Sequence, residues 1–350
     1  MSSKRFQRWA ARFPLTRFIA RRRAASLFDL CAGFVYSQVL LAAVQLGLFD
    51  VMIGEPQTAS AIASKIGLDV AATRRLLDAG AALRLVERRG SERYGLGVHG
   101  ASLAANPEVA AMVAHNAILY RDLADPVALL RGERATELAR FWSYSRDEAS
   151  TSAGPYSALM AGTISLLAED ILEAYPFEDH RCLVDVAGGE GAFLEAVADR
   201  APGLDLTLFE LPPVARRARA RFARSGLDAR VAVVEGDVLA DPIPSGADLA
   251  TLVRVIHDHD DDVALAILRA VRRSLRRNGV VLVAEPMAGT AGAEPMGDAY
   301  FGFYLLAMGH GRPRSFAELE GLLRTAGFHR IEPVPTRRPM LTSILAGRAP

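Results

Sequence analysis

The chain has 350 residues, long enough for two domains with cores of their own, and its 41 Lys+Arg against 40 Asp+Glu leave a net charge of +1, so no general electrostatic pull toward nucleic acid is expected. Cys31 and Cys182 are the only cysteines and both sit in apolar runs, which argues against a disulfide framework and a zinc–thiolate site and suits a reducing, cytoplasmic setting. No secretory signal pattern is expected, because no apolar core follows the basic start at the proper place.

Residues 1–24 read as an arm. Lys4, Arg5, Arg8, Arg12, Arg17, Arg21, Arg22 and Arg23 alternate with Phe6, Trp9, Phe13, Phe18 and Ile19, and no acid occurs before Asp29. Two readings stand: a basic amphipathic segment at an anionic membrane surface, or a solvated arm. Cys31 to Phe49 then carries no charge and has about the length of a membrane span, but Ser37, Gln38, Gln45 and two glycines interrupt it. We read it as a buried helix in a subunit interface.

A helical, winged-helix-like domain is expected over 25–145. Thr58 to Gly67 reads as a short capped helix, and Asp69 to Leu85 as a second with Leu76, Leu77, Ala81 and Leu85 on one face. Two short strands follow about a Gly90-Ser91 turn. Such a pattern can bind DNA, but the second helix offers only Arg74, Arg75 and Arg84, so dimerisation without nucleic acid is the preferred reading. Asn106 to Arg140 reads as helices, and the Ser, Thr, Gly and Pro of 143–155 as the linker. Tyr156 to Tyr175, with Met160, is a helix that leads into the second domain, 156–350.

That domain is organised around Arg181-Cys-Leu-Val-Asp-Val-Ala-Gly-Gly-Glu-Gly191, an apolar strand ending in Asp185 and a glycine turn opening into a helix. Gly188, Gly189 and Gly191 lack the spacing of a dinucleotide fingerprint, so the pattern favours a cationic ligand without phosphates, which S-adenosylmethionine is. Leu204 to Glu210 is a second strand, and Glu210 lies where a carboxylate can hold ribose hydroxyls. Val231 to Glu235 is a third, followed by Gly236, Asp237 and Val238, which can face an adenine. Leu249 to Val253 is a fourth, and Gly279 to Ala284 a fifth ending at Glu285.

After the fourth strand comes Arg254-Val-Ile-His257-Asp258-His259-Asp260-Asp261-Asp262. His257-x-His259-x-Asp261 has the look of a metal-ligand set, but only His310 and His329 remain downstream, and we assign no metal. Asp260, Asp261 and Asp262 are expected to cap the helix from Val263 to Leu275. His257 follows a strand end, where an imidazole can take a proton from a hydroxyl, and Glu285 is placed to support it.

With Phe209-Glu-Leu-Pro212, Gly236-Asp237, Arg254-Val-Ile-His-Asp258 and Ala284-Glu-Pro286 in order behind the glycine stretch, nearly the whole chain resembles the S-adenosylmethionine-dependent O-methyltransferases of the hydroxyindole, caffeate and flavonoid type. The resemblance implies an α/β, Rossmann-like class I methyltransferase sheet behind an N-terminal dimerisation domain, and a homodimer. It implies His257 as base with Asp258 and Glu285, and a cofactor held by Asp185, Gly188, Gly189, Gly191, Glu210, Gly236, Asp237, Val238 and Arg254. Leu119 to Glu133 and Tyr300 to Arg314 look most like the carotenoid-modifying members from purple photosynthetic bacteria. This implies a hydrophobic carotenoid substrate against Met160, Phe301, Phe303, Tyr304 and Met308, and a protein that is cytoplasmic or peripheral at the photosynthetic membrane. A phenolic or indolic acceptor, or carbon methylation of a bacteriochlorin, is the alternative. Ala187 replaces the first family glycine, and Pro313 stands where plant relatives place a second acid.

Overall fold

The computed structural model describes residues 13–144 and 153–350, together with Ser3, Arg5 and Trp9. Lys4, Phe6, Arg8 and Arg12 of the arm, and most of the expected linker, lie outside the described residues.

Two compact units form, Met1–Ala117 and Ile118–Pro350. The helices after Ile118 join the second unit because Leu119, Leu129 and Leu138 bury themselves in one cluster with Tyr304, Leu305 and Met308. This places the division ahead of the 143–155 stretch.

In the first unit a long helix, Arg17–Gln45, is continuous from the basic segment into the uncharged stretch. Leu41, Ala43, Leu48 and Phe49 are buried and Val39, Leu40 and Val44 pack against the same cluster, whereas Phe34 and Val35, and Leu27, Phe28 and Leu30 before them, are exposed, so the chain itself covers the second half of the uncharged stretch and leaves the first half open. It is the one helix among the described residues long and apolar enough to cross a membrane, a test that interior helices also pass. The short helix Ala59–Ile66 starts at Thr58, whose hydroxyl accepts from Ala61 N–H, and stops at left-handed Gly67. Helix Val70–Ala82 starts in the same way at Asp69. The expected hairpin forms from β2 (Val86–Arg89) and β3 (Arg93–Leu96), and β1 (Gln57–Thr58) pairs with β3 to complete a three-stranded sheet.

The second unit carries a seven-stranded sheet of β4 (Cys182–Val186), β5 (Asp205–Glu210), β6 (Val231–Glu235), β7 (Ala247–Val253), β8 (Leu275–Glu285), β9 (His329–Val334) and β10 (Ser343–Arg348), in the order β6-β5-β4-β7-β8-β10-β9. The first five run parallel, and β10 is antiparallel to both β8 and β9. Alternate residues feed two cores, one on each face of the sheet: Val184, Val186 and Leu252 on one side, Leu183, Leu249 and Val253 on the other. Every residue of β7 is buried, as a central strand covered by helices requires. The order of strands reverses between β4 and β7, which opens a crevice beyond their carboxyl ends.

Candidate active site

The crevice is a cavity of ≈ 570 Å³. At one end lies the turn after β4. Asp185 is fully buried; its Oδ1 accepts from the Thr251 hydroxyl at 2.6 Å, while Oδ2 has no partner. A Cβ on Gly188 would stand 2.0 Å from that free oxygen, so only glycine fits above it. Glu210, at the end of β5, accepts from Gly189 N–H at 2.9 Å and from Leu211 N–H at 2.7 Å. Burial pushes the Asp185 and Glu210 carboxyls up to about 7 each, the second against the pull of its two amides.

At the other end is the segment after β7. Arg254 has φ 56, its N–H donates to Ala284 O, and its guanidinium donates to the Thr163 hydroxyl at 2.9 Å and lies 5.6 Å from the centre of the Phe301 ring. His257 is 1% exposed, with Nε2 3.2 Å from Asp258 Oδ1 and Nδ1 buried without a partner. Burial, then the Arg254 and Arg314 charges and His259, hold its pKa well below the ordinary value, so the ring is neutral. Burial pushes Asp258 up to about 8, with Arg254 pulling the other way. Glu285 reaches His257 through the backbone rather than the ring: its Oε2 accepts from the His257 amide at 3.0 Å. Lying fully buried at the end of β8, it fixes the loop that carries the imidazole and does not support the imidazole itself.

Residues 310–314 clasp this loop. Arg314 is fully buried and donates to Ile256 O at 2.8 Å, His259 O at 2.7 Å and Asp261 Oδ1 at 2.9 Å. Gly311 N–H donates to Asp260 Oδ1, and Arg312 N–H to His257 O. Asp260 is the N-cap of helix Asp261–Ser274 but makes no side-chain cap bond, because its carboxylate and that of Asp261 hold the clasp instead. The side-chain bond to the first turn comes from Asp262 instead, whose Oδ1 accepts from Val263 N–H at 2.8 Å, and Asp261 and Asp262 stand in that turn as the expected acids. Gly311 sits at φ 77 with a Cβ position 2.3 Å from His257 O, so this close approach requires glycine.

Of the expected residues, Asp185, Gly188, Gly189, Glu210, Arg254, His257, Asp258, Met160, Phe301, Tyr304 and Met308 line the cavity. Gly191, Gly236, Asp237, Val238, Glu285 and Phe303 do not. Gly191 is glycine for the sake of packing, since a Cβ there would stand 2.1 Å from the Phe222 ring. Gly236 N–H donates to Glu210 O, the exposed Asp237 carboxylate accepts from Leu239 N–H, and Val238 packs on the sheet core. Phe303 misses the cavity through helix geometry. A π-helical stretch over Pro295–Phe301 leads into helix Gly302–Met308, and Phe301, Tyr304, Leu305 and Met308, spaced to share one face, line the cavity, while Phe303 is half-buried against the cluster that Tyr304, Leu305 and Met308 form with Leu119 and Leu138. Unforeseen lining residues include Trp142, Ile164, His259 and His310. His259 and Ile164 had a local signal, His259 in the loop of His257 and Ile164 one helical turn from Met160, whereas Trp142 and His310 are brought here by contacts over long separations.

The cavity fits S-adenosylmethionine by its donors. The unpartnered Asp185 oxygen under a glycine bed, together with Glu210, Asp258 and Glu190 in the wall, matches a ligand with ammonium and sulfonium charges. Of the two arginines in the wall, Arg217 is paired with Glu190 and Arg254 is held by Thr163. Residues 120–329 match the model of the O-methyltransferase domain, and residues 28–105 that of the O-methyltransferase dimerisation domain. Demethylspheroidene O-methyltransferase of Cereibacter sphaeroides is 44% identical over 99% of this chain and 93% of its own, and its namesake in Rhodobacter capsulatus 40% identical over 98% and 86%. Among solved structures, human N-acetylserotonin methyltransferase in complex with SAM superposes with a TM-score of 0.78 at 25% identity, covering 93% of this chain and 97% of that one. The fold is that of a class I methyltransferase with an N-terminal helical dimerisation domain. The chain belongs to the S-adenosylmethionine-dependent O-methyltransferase family.

Proposed function

We propose that this protein methylates the hydroxyl group of a hydroxycarotenoid of the demethylspheroidene type, working as a homodimer. The observation that carries the reading is the 44% identity, across nearly the whole chain, with a relative named for that substrate. The aromatic and thioether wall of Met160, Phe301, Tyr304 and Met308 supports it, because a long apolar acceptor needs such a surface.

When bound, S-adenosylmethionine supplies an electrophilic methyl group on a sulfonium that leaves as a neutral thioether. In this reading Asp185, Gly188, Gly189 and Glu210 hold it, and Arg254 closes the cavity between the two ligands. Gly191, Gly236, Asp237 and Val238 support that end from outside the cavity. His257 and Asp258 meet the acceptor hydroxyl, and Glu285 fixes their loop. A tertiary alcohol is far less acidic than a phenol, so the chain must contribute chiefly by orienting the oxygen and excluding water.

Transfer of label from S-adenosylmethionine to demethylspheroidene in detergent, with a panel of phenols and indoles alongside, tests the substrate. Label confined to the panel would discard the carotenoid and keep the reaction. His257→Ala should lower turnover by about 10²–10⁴-fold while calorimetric cofactor affinity stays the same; full turnover would remove His257 from the reaction. Contact of the basic arm with an anionic membrane belongs to the same proposal. Deleting residues before Ala24 should reduce recovery with membranes, and an unchanged distribution would refute it.

A further inference from the structure

The cavity is too small for both ligands of the reading above. S-adenosylmethionine is itself a drug-sized molecule, and a cavity of ≈ 570 Å³ holds about one such ligand. A carotenoid polyene, extended at about 1.2 Å per backbone bond, is on the order of 30 Å long, about three times the width of a sphere of that volume. With the cofactor against Asp185 and Glu210, the half at His257 has room for the hydroxyl-bearing end of such a chain and not for the rest.

The walls mark where the rest leaves. Phe301, Tyr304, Leu305 and Met308 close the acceptor half and are buried, as is His257. Four other lining residues reach the surface: Gly309 is exposed, and Ala139, Trp142 and His310 are half-buried. They form one rim. The Trp142 and His310 rings meet edge-on with centroids 6.5 Å apart, and a Cβ on Gly309 would stand 3.8 Å from that of Ala139.

The rim is tied down, so the cavity does not widen to take in a longer segment. Helix Glu137–Tyr144 carries Ala139 and Trp142, and its first amides are held by the buried Asp122. Glu137 N–H donates to Oδ1 at 2.8 Å and Leu138 N–H to Oδ2 at 2.9 Å. The buried Thr136 hydroxyl donates to Ala307 O at 2.6 Å, which joins this helix to helix Gly302–Met308. Parting the two would leave buried polar groups without partners.

We infer that the site reads only the end of its acceptor, a tertiary alcohol on a branched apolar terminus. The remaining chain leaves past Ala139, Trp142, Gly309 and His310, and short terpenoid alcohols with the same terminus are methylated as well. The inference rests on the methyl-transfer reading. The transfer is the same for long and short acceptors: a lone pair of the acceptor oxygen forms the new O–C bond, the C–S pair returns to sulfur, and the hydroxyl proton leaves by way of His257 to water. Because no side chain of the cavity touches the distal chain, shortening the acceptor removes no contact made in the transition state, and kcat is kept.

Tetrahydromyrcenol, a saturated monoterpenoid whose hydroxyl carbon ends the chain and carries two methyl groups, is the probe. The natural chain should transfer label from S-adenosylmethionine to it with kcat within about tenfold of that for demethylspheroidene. Ala139→Leu tests the rim. Added bulk there crowds a chain that stays threaded through the mouth more than an alcohol that lies wholly inside. The ratio of kcat/KM for the carotenoid to that for the short alcohol should therefore fall at least about tenfold. Ala139→Val carries the same test if thermal unfolding shows that the leucine variant does not fold. Label in the carotenoid and none in the short alcohol would overturn the inference and keep the reading, since contacts with the distal chain would then be required. An unchanged ratio in Ala139→Leu would overturn the exit past these residues. Label in no alcohol, long or short, fails the reading and takes the inference with it.

Discussion

The two ends of the cavity are built by different means. The end at Asp185 and Glu210 comes from adjacent parallel strands and the turn between one strand and its helix, with Glu210 satisfied by nearby amides and Asp185 held on one oxygen by Thr251. The end at His257 is assembled from four separated stretches and kept in place by the clasp at 310–314. A pocket can thus pair a rigid bed encoded locally with a reactive wall that depends on one distant buried side chain. The difference predicts that the ends fail separately.

Arg314→Leu is the largest expected break. It leaves Ile256 O and His259 O buried without their donor and removes a partner of Asp261, whose carboxyl Arg312 and Arg314 together hold below the usual range. Two buried carbonyls without a donor cost about 1–3 kcal/mol each, and the exposed Asp261 adds little. Denaturant unfolding should show that loss, and under native conditions cofactor affinity should stay within about twofold. Loss of cofactor binding in step with stability would mean that the two ends are one cooperative structure.

The cofactor end should respond to pH instead. Asp185 and Glu210 titrate at about 7 in the folded chain, above the ordinary carboxylate values of the unfolded one. Between about pH 4 and 7 the folded state therefore holds protons that the unfolded state has released, and these two groups make the unliganded protein less stable as pH rises through that window. A cationic ligand needs both groups ionised, so its binding releases protons and strengthens with pH, by about tenfold per carboxylate between pH 6 and 8. Calorimetry in buffers of different ionisation enthalpy measures the released protons. Affinity that is flat across that range would show that neither carboxylate meets the ligand's charge.

The same division decided what could be read from the sequence. Asp185, Gly188, Gly189 and Glu210 were legible because strand, turn and acid follow one another along the chain, and the parallel strands announced themselves as short apolar runs. His257 was legible because it follows a strand directly. His310, Trp142 and Thr163 were not, since nothing local distinguishes them from ordinary helix or loop residues until the contacts of the fold bring them together. Phe301, Tyr304 and Met308, picked out by their apolar and aromatic type, line the cavity, whereas Phe303, of the same type, does not, because type alone does not say which face of a helix a residue takes. The acids at 260–262 looked like caps because capping is a local rule, and a long-range partner claimed Asp260 and Asp261. The uncharged stretch from Cys31 could be read as helical, yet its composition did not say which part its own chain covers: Leu41 to Phe49 rather than Phe34 and Val35.

Ala187 offers the smallest test of the local end. It sits at φ 55 in the cavity wall, beside Gly189 at φ 62, and its N–H donates to Phe209 O. A left-handed alanine costs roughly 1–2 kcal/mol that glycine does not. Glycine gives back about 0.4–1 kcal/mol through the greater freedom of the unfolded chain. Ala187→Gly should therefore raise stability by about 0.5 kcal/mol, on the order of 1 °C by scanning calorimetry. The substitution also lowers the bed where a ligand would lie, so cofactor affinity should rise or stay level. A fall in stability would mean that the methyl group, which packs on the sheet core, contributes more than the strain it carries. In that case this position holds alanine for packing, and the departure from glycine strengthens the bed instead of deforming it.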